Sequence, residues 1–234
     1  LDPASGRSVA RSVIARDDLW SLAWSTDGTR VFAGDERGGI HARAVNDLQT
    51  PLCLDAPTLP ERVSQISVLP GESVMLVLSG KGVYRIAFKD GCPVGAPALV
   101  HQFESVAIEA VVDTPRSRIV LASYDAVVAI PLTADVGSSV LASAVLPAVG
   151  NGPESANIVR MAVRPGTGEV CALAQLHEAV ICFDSELSAA SVTVLRPYAG
   201  RAVPVSVSDF AFDAAGQRLV ILDGNDEALV WSMA

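Results

Sequence analysis

The sequence is poor in charge and in aromatic side chains: charged residues make up 18% and aromatic residues 5% of its 234 positions. Its net charge of −9 gives it no attraction for the phosphate backbone of nucleic acids or for anionic membranes. The longest apolar runs, such as residues 126–132, have the length of a strand and are far too short to span a membrane. No basic and apolar signal segment opens the chain. These absences predict a soluble protein without a membrane span and without a nucleic-acid partner.

Cysteine is also rare, and its four positions show neither a CxxC motif nor a metal-ligand spacing. A hairpin turn at residues 176–177 would place Cys171 and Cys182 opposite each other on two strands. We interpret these two as small core residues in a reducing compartment, which predicts an intracellular, cytoplasmic protein. The four cysteines are Cys53, Cys92, Cys171 and Cys182.

Motifs of common catalytic and metal sites are missing too. The chain has no glycine-rich phosphate loop and no GxSxG motif. Its acidic turns at residues 35–36 and 223–227 lack the ordered ligand pattern of a calcium loop. The three histidines, His41, His101 and His177, show no triad or metal spacing and are interpreted as surface or strand residues. We therefore expect no cofactor, no metal and no enzymatic activity.

The sequence does contain a repeated strand and turn pattern, which residues 19–40 show best. Residues 19–24 alternate in the period of two that is typical of a half-buried strand. Residues 25–28 form a turn that ends in glycine, a second strand begins at Val31, and a third begins near Ile40. Four further copies follow at intervals of roughly 40 to 50 residues, the period of a propeller blade.

Several positions agree among the five copies. The residues aligned with one another as the end of the first strand are Trp24, Val68, Val112, Val163 and Phe212. Two positions earlier stand Leu22, Ile66, Ala110, Met161 and Phe210, and five positions earlier stand Leu19, Val63, Ala107, Ile158 and Val207. Agreement at this spacing indicates five homologous modules.

A fourth strand-like segment lies upstream of each unit, so that each unit has room for four strands. The sequence thus predicts an all-β fold, a β-propeller of four-stranded antiparallel blades, because a β-sandwich does not repeat at this period. We predict a single domain over residues 1–234. Its upstream segments are 8–16, 50–55, 96–103, 138–149 and 190–198, and its units span about 8–44, 50–88, 96–131, 138–184 and 190–232.

The two ends of the array leave the blade count open. The segment Ser8–Arg16 has no preceding strands to pair with, and the last unit lacks an outer strand. Pairing these two would close a ring of five blades without an exposed edge. The alternative is five blades of a larger ring, completed by further sequence or by a strand that a partner protein donates. Since Leu1 stands where a complete chain has Met, a processed chain or a fragment is expected.

Two stretches resemble units of the WD-repeat family: LAWSTDGTRVFAGDERGGI and FAFDAAGQRLVILDGNDEALVW. Trp231 falls on the family's Trp position, and Asp184 keeps the Asp that follows it in another unit. The family's Gly-His dipeptide is absent, so we do not expect its buried network of His and Asp. The resemblance implies a propeller that serves as a protein–protein interaction scaffold within a larger complex. The other residues at the Trp position are Arg43, Ile86, Ile130 and Phe183.

One position in the first strand is polar in every copy, three residues before the aligned end of that strand. Because the first strand of a blade lines the central channel, these side chains can form a polar ring. Within it an arginine flanked by two carboxylates can pair bidentately. We interpret the ring as a network that satisfies itself around channel water; the alternative is a small-ligand or ion site at the channel mouth. The ring residues are Ser21, Gln65, Glu109, Arg160 and Asp209.

The alternation places Trp20 and Trp24 on one face of the first strand, with Leu22 between them. We interpret both tryptophans as packing between blades; the alternative is that an exposed Trp20 anchors a partner protein.

Two functions are compatible with these features. The favoured hypothesis is a non-catalytic scaffold that binds other proteins. The alternative is a propeller that binds or hydrolyses a small ligand such as a sugar or lactone, with Glu109 and Asp209 as candidate carboxyl groups. Arg160 between them is expected to hold both ionised, which makes them poor acids.

Overall fold

The structure, a computed structural model, describes residue 13 and residues 17–69, 71, 73–124, 126–133, 139–145, 158–174, 179–188, 192–195, 207–223 and 228–233. In this part of the chain, five antiparallel sheets follow one another, and a single 3₁₀ turn (Thr114–Arg116) is the only helical element. The chain divides into two compact units, residues 1–102 and 103–234, and each is described by itself. The prediction of one domain stays a prediction.

The first unit contains two four-stranded sheets whose strands are hydrogen-bonded in chain order. Sheet 1 contains β1 (Leu19–Trp24), β2 (Arg30–Asp35), β3 (Ile40–Ala44) and β4 (Asp47–Pro51). Sheet 2 contains β5 (Val63–Val68), β6 (Val74–Ser79), β7 (Gly82–Lys89) and β8 (Cys92–Gln102).

The second unit contains three sheets, again in chain order, of which the last shows three strands among the residues described. Sheet 3 contains β9 (Ala107–Asp113), β10 (Arg118–Ser123), β11 (Ala126–Pro131) and β12 (Ala142–Val145). Sheet 4 contains β13 (Ile158–Val163), β14 (Val170–Ala174), β15 (Ala179–Phe183) and β16 (Thr193–Leu195). Sheet 5 contains β17 (Val207–Phe212), β18 (Arg218–Asp223) and β19 (Ala228–Ser232).

The sheets confirm the predicted all-β class, and four of them have the predicted four strands. They are offset by one strand from the sequence units, because the segment that opens a unit supplies the outer strand of the preceding sheet. The strands β4, β8, β12 and β16 each pair with the third strand of that sheet, which directly precedes them in the chain. The ring-closing pairing predicted for residues 8–16 falls almost entirely on residues that the structure leaves undescribed.

The turn between β1 and β2 shows why this sequence reverses direction where predicted. Gly28 has a φ of +69°, which a residue with a side chain seldom adopts. The Asp27 carboxylate accepts hydrogen bonds from the Ser25 hydroxyl at 2.6 Å and the Thr29 amide at 2.9 Å. These bonds, that of the Ser25 hydroxyl first, lower the pKa of Asp27 to about 2. An ionised aspartate therefore fixes the turn.

The hydrophobic core lies between consecutive sheets within each unit. In the first unit, Phe32 and Ile40 of sheet 1 pack with Met75 and Val77 of sheet 2. In the second unit, one cluster joins sheets 3 and 4, and another joins sheets 4 and 5. The second strands β6, β10 and β14 are buried on both faces, which accounts for their long apolar runs.

The cysteines form two disulfides, Cys53–Cys92 and Cys171–Cys182. The prediction that Cys171 and Cys182 face each other is confirmed, since β14 and β15 pair them directly. The prediction that both are core residues is confirmed, but the prediction that they are reduced is wrong, because the same pairing brings their sulfur atoms within bonding distance. In the first unit, the other bond ties the segment after β4 to the start of β8.

No helix that is long and apolar enough to cross a membrane occurs among the residues described.

Candidate functional site

The first strand of every sheet carries a β-bulge directly before the polar position found in the sequence. The pairing of β1 with β2 changes register between Leu19 and Ser21, and the other four first strands do so at the equivalent place. A bulge inserts one residue and redirects the side chains that follow it. The polar position thus breaks the alternation because the backbone itself does. The residues that follow the bulges are Ser21, Gln65, Glu109, Arg160 and Asp209.

In the first unit this position serves packing. The Ser21 hydroxyl donates a hydrogen bond to the Val63 carbonyl at 3.1 Å and so connects sheet 1 to sheet 2. A Cβ atom on neighbouring Gly34 would overlap the side chains of Val63 and Ser21. The absence of a side chain at Gly34 therefore allows the two sheets to approach closely there. Gln65, half-buried on β5, pairs in register with Leu78.

In the second unit the same position builds a charged cluster. The Arg160 guanidinium binds Asp209 through two bonds, from Nε to Oδ1 at 2.9 Å and from Nη2 to Oδ2 at 3.3 Å. Its Nη1 also donates to Oε1 of Glu109 at 3.3 Å. The second carboxylate oxygen of Glu109, Oε2, accepts a hydrogen bond from the backbone amide of Met161. Three consecutive sheets thus meet in one arginine with two carboxylates.

The two carboxylates of this cluster differ in environment. The Glu109 side chain is only 12% exposed, whereas those of Asp209 and Arg160 are 41% and 49% exposed. Burial raises the pKa of Glu109 despite the Met161 amide and the Arg160 charge. The hydrogen bonds between Arg160 and Asp209 lower the pKa of Asp209. The same bonds, together with the charge of Glu109, raise the pKa of Arg160.

Desolvation outweighs the attraction of the arginine at Glu109 and raises its pKa, so the expectation that Arg160 holds both carboxyl groups ionised stays a prediction. The ring of five residues would require both units, and it stays a prediction. What the second unit contains is a partly open cluster that can favour a cationic or hydrogen-bonding group, because two carboxylates share one arginine.

A second candidate lies on β1. Leu22 is 67% exposed and Trp24 60%, whereas the residues aligned with Leu22 in the other copies are at most 5% exposed. Packing between sheets therefore does not account for Trp24. Trp20 is 50% exposed, and its ring stacks against the Arg62 guanidinium, whose carbon lies 4.2 Å from the ring centre. The aligned residues of the other sheets are Ile66, Ala110, Met161 and Phe210.

No protein-family model and no curated protein matches the chain. Among solved structures, the crystal structure of a protein from Lactobacillus plantarum is similar, with a TM-score of 0.72 at 12% sequence identity. The match covers 95% of this chain and 69% of that one. The chain has the β-propeller fold. At this identity, the likeness shows the fold alone, and each sheet described above is a propeller blade.

One polar pair was missed by the sequence reasoning. The buried carboxylate of Asp35, at the end of β2, forms a hydrogen bond with the imidazole ring of His41 on β3. The distance between Nε2 and Oδ2 is 2.7 Å. Burial opposes ionisation of Asp35, but bonds from His41 and from the amides of Gly39 and Arg37 outweigh it and lower its pKa. A His–Asp contact thus forms without the Gly-His dipeptide. The signal was available: both residues flank one tight hairpin.

No group of three or more His, Cys, Asp and Glu side chains suited to a metal ion occurs in the described part of the chain.

Proposed function

We propose that this protein is a non-catalytic scaffold that binds another protein through the exposed apolar part of β1. The supporting observation is the exposure of Leu22, at a position that the other copies bury, together with that of Trp24, whose aligned residues are partly buried. Large apolar residues that the fold leaves uncovered mark interaction surfaces. Tryptophan is enriched among the residues that dominate binding energy, since it buries a large area with few rotatable bonds.

Trp20 and the Arg62 guanidinium that stacks on its ring lie at the edge of this surface. Its contact with Arg62 holds an exposed aromatic ring in place before a partner binds, which reduces the entropy lost on binding. The resemblance of the repeat to WD-repeat units supports the same role, by analogy of fold. Membership of a larger complex follows from that analogy and is part of the proposal.

The two disulfides also change the expected cellular compartment. The cytoplasmic location rested on reduced cysteines, but the two disulfides are typical of an oxidising environment. We therefore propose that the scaffold works in such a compartment. Thiol counting on the freshly isolated, unreduced protein tests this; titratable thiols at all four cysteines would restore the cytoplasmic assignment.

Site-specific photo-crosslinking in the producing cell tests the scaffold. A photoreactive residue in place of Trp24 should give adducts with protein, whereas the same residue at Leu141, which is 57% exposed on the approach to β12, should not. The mass of the adduct identifies the class of partner. Equal adduct yields at the two positions would show that β1 is an ordinary exposed strand.

The cluster of Glu109, Arg160 and Asp209 supports a second candidate, a small-ligand propeller. The observation that favours it is that Arg160 joins the buried carboxylate of Glu109 to the more exposed one of Asp209, whose pKa values shift in opposite directions. Calorimetric titration with a simple aldonolactone tests it. Heat of binding that disappears in Arg160→Ala would favour this function over the scaffold.

A further inference from the structure

The two disulfides of this protein differ in how well solvent reaches them. Cys171 and Cys182 are 0% and 4% exposed and belong to the core cluster that joins sheets 4 and 5. Cys53 and Cys92 are half-buried, and Cys53 is a partly buried neighbour of the core cluster in the first unit. Thiol–disulfide exchange begins when a thiolate reaches a sulfur atom, so access to the bond controls its rate. The Cys53–Cys92 bond is therefore the more reducible one in the folded protein.

This bond joins a paired hairpin to a segment that lies outside the sheets. Cys92 follows the turn between β7 and β8 and pairs with Lys89 across that hairpin. Cys53 begins residues 53–58, which connect β4 to β5 and form no strand. We call residues 53–58 the strap. Breaking the bond would therefore release the strap and leave the pairing of β7 with β8 intact, because that pairing depends on backbone hydrogen bonds.

Backbone hydrogen bonds hold the chain on either side of the strap. The Leu52 amide donates to the Ala42 carbonyl at 3.1 Å, and the Leu59 amide donates to the Gly38 carbonyl at 2.9 Å. A Cβ atom on Gly38 would overlap the Leu59 carbonyl, so the chain fits closely at this end. Without the disulfide, the strap is thus a short bridge whose two ends stay attached to sheet 1.

Two cavities border the strap, and both are open to solvent. One, of about 310 Å³, lies beside β3 and is lined by His41, Arg43, Cys53 and Ala56. The other, of about 180 Å³, lies beside the start of β8 and is lined by both cysteines of the bond and by Val94. Because Cys53 lines both cavities, a thiol can reach its sulfur atom from solvent.

We propose that the Cys53–Cys92 bond is a redox-sensitive latch that holds the strap closed over the cavity beside β3. The reductant is a dithiol. One of its thiolates attacks the sulfur of Cys53, the bond between the two cysteines breaks, and Cys92 leaves as a thiolate. The second thiol of the reductant then displaces Cys53 from the mixed disulfide. The dithiol is oxidised to a disulfide, and its electron pair and two protons end on Cys53 and Cys92.

Opening the latch gives access to the cavity beside β3, because the strap forms one of its walls. That cavity is lined by Arg43, which is 6% exposed, and by His41, which bonds to Asp35. The reduced protein keeps its fold, since buried residues such as Phe32 and Met75 form the core of this unit without either cysteine. A redox change is thereby converted into access to a cavity that contains an arginine and a histidine.

Graded reduction of the native protein tests the first step. The wild-type chain is incubated with dithiothreitol in the absence of denaturant, its thiols are blocked with iodoacetamide, and mass spectrometry measures the blocked fraction at each cysteine. Cys53 and Cys92 should be reduced together and at least about tenfold faster than Cys171 and Cys182, which require a local opening of the core. The buried disulfide is the control within the same molecule. Equal rates for the two disulfides would overturn the proposal.

Limited proteolysis measures whether reduction opens the strap. An endoproteinase that cleaves before aspartate can cut at Asp55 in the strap and at Asp90 in the turn between β7 and β8, both of which are exposed. Reduction and blocking of the latch should speed cleavage at Asp55 at least about tenfold and leave cleavage at Asp90 unchanged, because proteolysis follows local opening. An unchanged rate at Asp55 would overturn the proposal. Faster cleavage at both sites would indicate general unfolding and would overturn it too.

Paired variants separate the latch from the chemistry of reduction and blocking. Cys53→Ser with Cys92→Ser should be cleaved at Asp55 as fast as the reduced wild type. Cys171→Ala with Cys182→Ala keeps the latch and should be cleaved there as slowly as the oxidised wild type. Circular dichroism checks the fold of both variants, and the reduced wild type decides the result if the serine variant does not fold.

Discussion

The same backbone device has opposite consequences in the two units of this propeller. In the first unit, the bulge in β1 presents Ser21, whose short hydroxyl bonds to the backbone of the next sheet beside Gly34. In the second unit, the equivalent bulges present Glu109 and Arg160, whose long side chains reach one another and Asp209. The bulge thus fixes where a polar group is presented, and the side chain decides whether it closes a junction or builds a charged cluster.

The largest effect is expected at a close approach between the two sheets of the first unit. Gly34→Ala should destabilise the protein by about 3 kcal/mol, because the added methyl group overlaps Val63 and Ser21 at a junction that has no room to relax. Chemical denaturation measures the change. Gly28→Ala, where no atom lies within 4 Å but φ is +69°, is the control for backbone strain alone. A smaller loss for Gly34→Ala than for Gly28→Ala would contradict the close approach.

The sequence predicted the positions that recur but not what covers them. Alignment placed Leu22, Ile66 and Phe210 at equivalent points, because the repeat fixes their strand position. Their exposed fractions differ, at 67%, 4% and 5%, since burial depends on the neighbouring sheet and not on the strand. The interpretation of Trp24 as interior packing went wrong for the same reason.

Pairing register was also beyond the sequence. The polar position in each first strand was visible, and so was the possibility of an Arg160 flanked by carboxylates, because charges stood at the same place in consecutive copies. The bulges that present them exist only relative to a partner strand. The Cys53–Cys92 bond likewise depends on two sheets meeting, whereas Cys171 and Cys182 share one hairpin and could be placed opposite each other.

In the second unit, the strongest effect should come from the most buried member of the cluster. Glu109→Ala should cost about 2 kcal/mol, because it removes the acceptor of the Met161 amide and leaves that amide without its bond in a half-buried site. Glu109→Gln keeps an acceptor and should cost less than half as much. Equal losses for the two variants, measured by denaturation, would show that packing and not hydrogen bonding makes Glu109 important.

The salt dependence of stability should differ between variants of the first unit and variants of the second. Ser21→Ala and Arg160→Ala should each cost about 1 kcal/mol, since one removes a neutral hydrogen bond and the other a half-exposed ion pair. Only the second loss should shrink at high ionic strength, because salt screens the attraction between exposed charges. A double-mutant cycle of Arg160→Ala with Asp209→Ala isolates their coupling. Coupling that is unchanged by salt would mean that hydrogen-bond geometry, and not charge, joins this pair.

The smallest effect concerns pH and separates the two carboxyl groups of the cluster. The pKa of Asp209 is lowered by folding, so its contribution to stability is present above its ordinary pKa of 3.8 and is lost as pH falls through its folded value. The pKa of Glu109 is raised above 4.5, so ionising it costs stability as pH rises through its folded value. Nuclear magnetic resonance titration of the two carboxyl carbons should find Glu109 titrating above Asp209 by more than their ordinary difference. Asp209→Asn should flatten the acid side of the stability profile. Glu109→Gln removes the loss of stability that ionisation of Glu109 brings, so its cost relative to the wild type should be smaller near neutral pH than in acid. A Glu109 that titrates at or below its ordinary value would show that Arg160 dominates over burial, and the second unit would then present a fully ionised ion-pair cluster.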